Sequence, residues 1–349
     1  MEHLIFSLAT AIDLLALVIC LGTLSCRLWV LPPAGTGEDT VVLFSLRTAL
    51  WRLLGGCLIA LTVSSVGELL GRTLTMSSLP LAMLRHTLPI VLLRTHYGRV
   101  WFVRLGALVM LWMSWGLGRR RLHSQAIPAS MLVAGGLIAL TRSLSGHAAD
   151  WGDLTLPVLM DWLHLLAGGL WGGGLLALAS AVLPGVLRKM APPRPCLAAI
   201  ARRFATLASI ALVVVLLTGV ANAWVQVGTV RALWATPYGR ALLAKLCLVG
   251  LVLLLGAVNH YLYVPLLQQW AGRHVAGGWL LHAVATRWRT PAGPQVPQHW
   301  RRTVGAEGLL LLGVLLCTVW LLHGPPARSP SHTMQGPTET APTPHGHGG

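Results

Sequence analysis

Acidic residues are scarce in this chain of 349 residues, which contains only 10 Asp and Glu. All charged residues together make up 10% of the chain, whereas about 25% is typical of soluble domains. Hydrophobic residues make up 55% and lie in long runs that a soluble fold has no room to bury. The scarcity of charge therefore excludes an ordinary soluble domain and favours a membrane protein.

Cysteine motifs and catalytic motifs are also missing. None of the six Cys residues belongs to a C-x-x-C pair, and five lie inside apolar runs, where a thiol behaves as a small hydrophobic side chain. This pattern does not favour a disulfide framework or a Cys-based zinc site. The sequence contains no phosphate-binding loop, no G-x-S-x-G and no H-E-x-x-H. We therefore do not expect an enzyme.

The apolar runs predict an all-α, multi-pass membrane protein with eight transmembrane helices. Each run reaches or nearly reaches the length of about 20 residues that crosses a hydrocarbon core of about 30 Å. No ten-residue alternating segments of the kind that build barrels occur. The first run is too long for the core of a cleavable signal peptide. The predicted spans are residues 4–31, 49–75, 99–117, 126–145, 155–183, 204–228, 240–267 and 305–323.

The net charge of +16 comes from basic residues that cluster between the apolar runs. This placement favours orientation in a lipid bilayer by the positive-inside rule over nucleic-acid binding. The triplet 119–121 and the segment 188–203 are the clearest predicted inner loops. We therefore predict a cell inner-membrane protein whose two termini both face the periplasm.

An internal repeat divides the predicted spans into two groups. The pattern T-x-Y-G-R-x4-[RK] begins at Thr95 and again at Thr236, so that Arg104 and Lys245 occupy matching positions 141 residues apart. A weaker similarity relates Asp13 to Asp161. We predict two four-helix halves, residues 1–145 and 146–323, because transporters often contain such repeats. Residues 324–349 are rich in Pro, Gly, Ser, Thr and His and predict a disordered periplasmic tail.

The fifth span contains the most informative group of polar residues. Met160 and His164 are four residues apart, and Asp161 and His164 are three apart, so a helix places them as neighbours. A thioether and an imidazole suit copper in its two oxidation states, and a carboxylate can orient the imidazole. The alternative is that Asp161 and His164 form a hydrogen-bonded packing pair without a metal.

Further copper-ligand candidates lie on the predicted outer side. His and Met residues in short tracts bind metal ions weakly, although a solvated terminus without a function explains the tail equally well. The candidates in the outer segments are Met83, His86, His96 and His147, and those in the tail are His332, Met334, His345 and His347.

Ionisable side chains near the bilayer centre are costly and need a partner or a function. The sequence predicts that Arg104 and Lys245 either pair with acids of other spans or reach outward, and that Asn259 forms a helix–helix hydrogen bond. The ionisable residues inside the predicted spans are Asp13, Glu68, Arg104, Arg142, Asp161, His164, Lys245, His260 and Glu307.

Three blocks of the second half resemble the copper resistance protein D family. The first is Asp161-x-x-His164-Leu-x-x-Gly-x-x-Trp171-x-Gly-Gly, the second runs from Arg203 to Ala223, and the third runs from Thr236 through Asn259 to Pro265. The resemblance covers residues 155–268 well and the first half more loosely. The family pattern has an Arg after the Asn of the seventh span, where this chain has His260. Whether His260 is a ligand or a substitute cation stays open.

The resemblance implies an eight-span inner-membrane protein that takes part in copper uptake or copper tolerance. It also implies a small periplasmic copper-binding partner of the CopC type. The leading hypothesis is copper transport, with copper collected outside and passed to Met160 and His164. One alternative is a haem-binding electron carrier with His164 and His260 as axial ligands. Another is an assembly factor that delivers copper without transporting it.

Overall fold

The computed structural model describes residues 2–33, 38–77, 84–187, 193–273 and 293–323. Every regular element within these ranges is helical, and eight helices there are long and apolar enough to cross a membrane. The all-α, eight-span prediction is confirmed. The spans are Phe6–Val30, Thr40–Met76, His96–Gly118, Ala126–Ser143, Leu156–Leu187, Arg194–Val227, Pro237–Trp270 and Gly293–Leu322.

Several helices extend beyond the apolar runs that predict them. The second helix is Glu38–Ser77, the sixth span is helical over Arg194–Val227, and the last helix is Val296–His323. Their additional turns lie at the predicted inner end and contain basic residues. An α-helix satisfies its own backbone groups outside the hydrocarbon as well, and arginine side chains reach from such turns to water. The apolar pattern therefore marks the hydrocarbon crossing rather than the helix ends.

Three spans contain π-helical turns, which frequently occur at functional sites in helices. The first span is α-helical over Glu2–Ser25 and continues as a π turn, Cys26–Val30. The fifth span consists of Leu156–Gly168, a π turn at Gly169–Gly173, Gly174–Ala177, a π turn at Leu178–Val182, and Leu183–Leu187. The seventh consists of Pro237–Val258, a π turn at Asn259–Tyr263, and Val264–Trp270.

The first and fifth spans cross in direct backbone contact. A Cβ atom built on Gly22 would lie 1.8 Å from the carbonyl carbon of Gly173, and one built on Gly173 would lie 1.8 Å from the carbonyl oxygen of Val18. The hydroxyl of Ser25 donates a hydrogen bond to the carbonyl of Leu170 at 3.1 Å. Only glycine fits at this crossing, which joins the first four spans to the last four.

Apolar side chains form two main cores on either side of this crossing. One is built from the first four spans around Leu21, Leu58 and Ile138. The other is built mainly from the last four spans around Leu175 and Val304, with additional residues from the end of the first span and the beginning of the second helix. The two cores therefore share the first and second helices.

The repeated Thr motif forms the same local structure twice. Thr95 accepts a hydrogen bond from the backbone N–H of Gly98 at 3.1 Å, and Thr236 accepts one from Gly239 at 3.0 Å. Both are N-cap interactions that satisfy a free donor of the first helical turn. A helix at Leu84–Arg94 precedes the first motif, and a single turn at Ala232–Ala235 precedes the second. A Cβ atom at either glycine would clash with the carbonyl oxygens of that preceding turn.

Candidate functional site

His164 lies in the fifth span and points toward the sixth. Its Nδ1 atom is 3.0 Å from the hydroxyl oxygen of Thr218, which itself donates to the carbonyl of Val214 at 2.6 Å. The hydroxyl proton is thus engaged, so we assign the remaining proton to Nδ1–H of the imidazole, which donates to Thr218. A neutral ring of this tautomer keeps a free lone pair on Nε2, the arrangement that a metal ligand requires.

A glycine of the sixth span makes room for this imidazole. A Cβ atom on Gly219 would lie 3.2 Å from Cε1 of His164, closer than ordinary van der Waals contact. His164 is partly buried, and Thr218 is buried. The sixth span therefore holds the ring through the hydrogen bond between Nδ1 and Thr218, and Gly219 leaves space for the ring because it has no side chain.

Asp161 has a different partner from the one that its spacing suggests. Its Oδ2 atom accepts a hydrogen bond from Ser143 of the fourth span at 2.7 Å. Asp161 thus bonds to the fourth span while His164 bonds to the sixth, so Thr218 rather than Asp161 holds the imidazole. Met160 is partly buried on the same helix, four residues before His164.

The outer-side histidines that the structure describes form pairs with acids or arginine. His96 Nε2 lies 2.9 Å from Asp153, and His147 Nδ1 lies 3.7 Å from Asp150. His86 is exposed and accepts a hydrogen bond from the neighbouring Arg85 at 3.0 Å. Within the described ranges, no group of three or more His, Cys, Asp and Glu residues could hold a metal ion. Outside these ranges lie the candidates Met83, His332, Met334, His345 and His347.

Four ionisable residues of the first four spans form a closed cluster. Arg142 lies 2.7 Å from Asp13 and 3.2 Å from Glu68, and Arg104 also pairs with Asp13. Ser64 donates to Asp13 at 3.0 Å. Two carboxylates and two guanidinium groups balance one another, so the cluster is neutral and its strongest donors and acceptors are engaged. Of the two alternatives that the sequence leaves open for Arg104, the structure shows pairing with acids of other spans.

The matching positions of the last four spans are arranged differently. Lys245 is near enough to Asp161 for an electrostatic interaction, and His164 is also within electrostatic range of Lys245. However, every ion pair closer than 4.0 Å in the described ranges involves other residues. Asp161 and Lys245 thus correspond to Asp13 and Arg104, but without their direct contact.

A cavity of about 230 Å³ lies among the last four spans, toward the predicted inner end. Its walls are largely apolar and include Trp171, Phe204 and Trp300. Two further lining residues, Asn259 and Glu307, are joined by a hydrogen bond from the Asn259 amide nitrogen to Oε2 of Glu307 at 2.7 Å. The sequence identifies both as polar residues within spans, and the predicted helix–helix role of Asn259 is confirmed.

The seventh span lies at the surface of the bundle. It packs along the eighth span and meets the sixth near both of its ends, where Tyr238 donates to Gln226 and Gln268 donates to the carbonyl of Ala198 at 2.7 Å. Only 6% of its most apolar window is buried, compared with 61% for the first span. The polar groups around His164 and the cavity below them therefore lie in the less tightly closed part of the bundle.

Two family models match the chain. The model described as copper resistance protein D matches residues 198–321, and the model of the copper resistance protein D-like N-terminal domain matches residues 1–156. The chain belongs to the copper resistance protein D family. In this family member, Thr218, Lys245 and Glu307 lie within the first match, and the neutral ion cluster lies within the second. Met160, Asp161 and His164 lie between the two matched segments.

Two curated relatives have names related to copper. The chain is 31% identical over 173 residues to copper transport protein CutJ of Bacillus subtilis, an alignment covering 49% of this chain and 31% of that protein. It is 28% identical over 179 residues to copper resistance protein D of Pseudomonas syringae pv. tomato, an alignment covering 50% of this chain and 57% of that protein. The chain thus spans about a third of the length of the first relative and somewhat more than half of the length of the second. No solved structure matches it.

The placement of the two span histidines bears on the haem alternative. His164 lies eight residues after the start of its span at Leu156, and His260 lies 23 residues after Pro237. At a rise of 1.5 Å per residue, their depths from the predicted outer end differ by about 20 Å. This separation is too large for the two axial ligands of one haem.

Proposed function

We propose that this chain transports copper ions across the cell inner membrane and that its last four spans contain the path. Support comes from the family, whose curated members are named for copper transport and copper resistance. The observation that carries the proposal is the imidazole of His164, held by Thr218 through Nδ1 inside a membrane span, which in the assigned tautomer leaves the Nε2 lone pair for a metal. Imidazole and thioether donors suit copper in both oxidation states.

The outer segments would collect the ion. His96 with Asp153 and His147 with Asp150 form two-donor pairs at the predicted periplasmic end. Pairs of this kind bind weakly enough to release an ion to a deeper site. Further donors would come from His86 and from candidates outside the described residues, Met83 and the tail residues His332, Met334, His345 and His347. A periplasmic copper-binding protein of the CopC type would be the donor to this surface.

The deeper site would be formed by Met160 and His164, with Asp161 close by. Asp161 and Lys245 are near each other without contact, so an entering cation could be balanced by the carboxylate and destabilised by the ammonium group. Such opposed effects allow an ion to enter and leave. Continued movement inward would take the ion between the last four spans to the cavity next to Asn259.

We further propose that the two four-helix halves arose by duplication and have diverged in role. The two Thr caps and the matched positions of Asp13 with Asp161 and Arg104 with Lys245 support this. In the first half the charges are neutralised by direct pairs, which suits a scaffold. In the second half the corresponding charges are apart, which suits a path for an ion.

Copper flux into membrane vesicles tests the transport proposal. Right-side-out and inside-out vesicles containing the full chain should accumulate copper above protein-free vesicles, in one orientation more than in the other. A protein that binds copper stoichiometrically in both preparations without accumulation would instead be a copper-delivery factor. That outcome would overturn transport and retain the copper site.

A further inference from the structure

Glu307 is a buried carboxyl group on the eighth span, toward its predicted inner end, with an exposed fraction of 3%. Its Oε2 atom is anchored by the amide N–H of Asn259 at 2.7 Å, and Thr303 donates to the other end of that amide at 2.6 Å. Its Oε1 atom faces Gly256, where an added Cβ would come within 3.2 Å. One oxygen is therefore fixed between the helices, and the other faces a position that has no side chain.

No cation balances this carboxyl group in the part of the chain that the structure describes. Its hydrogen-bonding partner there is a neutral amide, and none of the ion pairs involves it. The titratable groups that line the same cavity are His260 and Tyr261 of the seventh span, while the fifth and sixth spans contribute none. Glu68, by contrast, lies 3.2 Å from Arg142.

The charge state of Glu307 should therefore depend on the cations, protons or water that enter the cavity beside it. An ionised carboxylate without a counter-charge is costly inside a membrane. The cavity beside it, about 230 Å³ in volume, exceeds the volume of about 30 Å³ that one water molecule occupies in the liquid. Because the cavity lies toward the predicted inner end, protons exchanged at Oε1 would come from that side.

We propose that Glu307 binds and releases a proton through this cavity and that the exchange accompanies copper movement. The second clause rests on the proposed transport function; the first does not. A cation in the second half favours the ionised carboxylate, so the O–H bond breaks and the proton enters the cavity water. When the cation leaves, a proton from the inner side binds Oε1 again. No oxidant or reductant takes part.

Infrared spectroscopy of the purified full-length protein tests the proton site without copper. The wild type should show the C=O stretching band of a protonated carboxylic acid, and this band should disappear as the pH rises. Glu307→Gln should remove that band, whereas the matched variant Glu68→Gln should retain it because Glu68 is held by arginine. A band of unchanged intensity in Glu307→Gln, or its absence from the wild type at every pH, would overturn the proposal; Asp161→Asn, measured alongside, identifies any contribution from Asp161, which also has no ion pair in the described ranges.

Vesicles whose predicted inner ends face a pH-sensitive dye test the coupling. Copper addition to the wild type should release a proton to that side while copper occupies the protein, without a sustained pH change during flux because the proton is taken up again from the same side, and Glu307→Gln should lose this release. An unchanged pH signal in this variant would overturn the coupling. Loss of copper binding in equilibrium dialysis would identify Glu307 as a metal ligand and overturn the proton role. If the wild type moves no copper, the transport proposal fails, and the infrared band still decides the proton site.

Two precautions separate an effect of Glu307→Gln on folding from an effect on the proton site. Glutamine has the size of glutamate and can still accept the hydrogen bond from Asn259, so we expect Glu307→Gln to purify as a monodisperse protein. If it does not, Glu307→Asp replaces it. The shorter acid withdraws from Asn259 and should shift the carboxylic acid band, and an unshifted band would then contradict the assignment.

Discussion

The Nδ1 atom of His164 lies 3.0 Å from the hydroxyl oxygen of Thr218, so two neighbouring spans together set the direction of one imidazole ring. The ring is not held by the acid one turn away on its own helix. Its orientation therefore depends on how the fifth and sixth spans pack, and changes in either span should alter the copper site.

Replacing His164 by alanine should reduce copper flux to the level of protein-free vesicles, because the substitution removes the proposed nitrogen ligand. The variant should still insert and purify, since His164 is partly buried and each hydrogen bond that the substitution removes contributes only about 1 kcal/mol. Copper flux and the yield of monodisperse protein are measured together. Full flux in His164→Ala would mean that His164 and Thr218 form a packing pair only.

Gly219→Ala should weaken the same site while leaving every proposed ligand in place. The new methyl group would lie 3.2 Å from Cε1 of His164, so the ring must move. Changes beside a metal ligand typically lower affinity by about 10–100-fold. Equilibrium dialysis with copper measures the effect. Gly250→Ala is the matched control, because a Cβ atom there meets nothing within 4 Å, and equal losses in both variants would contradict the site.

Asp161→Asn should weaken copper binding less than His164→Ala. The amide keeps a hydrogen-bonding group next to Ser143 but removes the negative charge that would balance the ion. We expect a loss of affinity of about ten-fold, the lower end of the range for groups that support a ligand. The result is read from copper dialysis of both variants. A larger loss in Asp161→Asn than in His164→Ala would make the carboxylate the main ligand.

Asp13→Asn should destabilise the protein, although Asp13 lies outside the proposed copper path. The substitution leaves Arg104 and Arg142 with one acid between them, and breaking a buried ion pair in this way costs about 3–5 kcal/mol. Thermal unfolding in detergent should show a clear decrease in the transition temperature. Asp153→Asn on the exposed outer segment should change it little, since surface pairs contribute about 0–1 kcal/mol. Equal stability of the two variants would contradict the scaffold role.

A fusion at the C-terminus tests the predicted orientation. An even number of spans places both termini on one side, and the distribution of basic loops predicts that this side is the periplasm. A phosphatase fused after residue 349 should therefore be active, and a fluorescent protein that folds only in the cytoplasm should remain dark. The reverse pattern would exchange the proposed outer and inner ends.

The number and order of the spans could be predicted from the sequence because hydrocarbon thickness fixes the length of an apolar run. The ends could not. The helix that begins at Glu38 was predicted to begin at residue 49, since charged turns outside the hydrocarbon are helical as well. The Thr95 and Thr236 motifs were recognisable because capping is local in sequence.

The partners of the polar residues could be predicted only in part. The cost of charge in a membrane identifies Asp161, His164 and Glu307 as residues that need an explanation. It does not say which helix faces each of them. Thr218 is 54 residues from His164, and Asn259 is 48 residues from Glu307. Such contacts follow from how helix surfaces pack, which no local pattern encodes.

The close approach of Gly22 and Gly173 also sets an order of assembly. The first span is synthesised before the fifth, so the surface around Gly22 has no contact with Gly173 until the fifth span has been made. A chain that stops before residue 173 would therefore leave this surface of its first helix exposed to lipid.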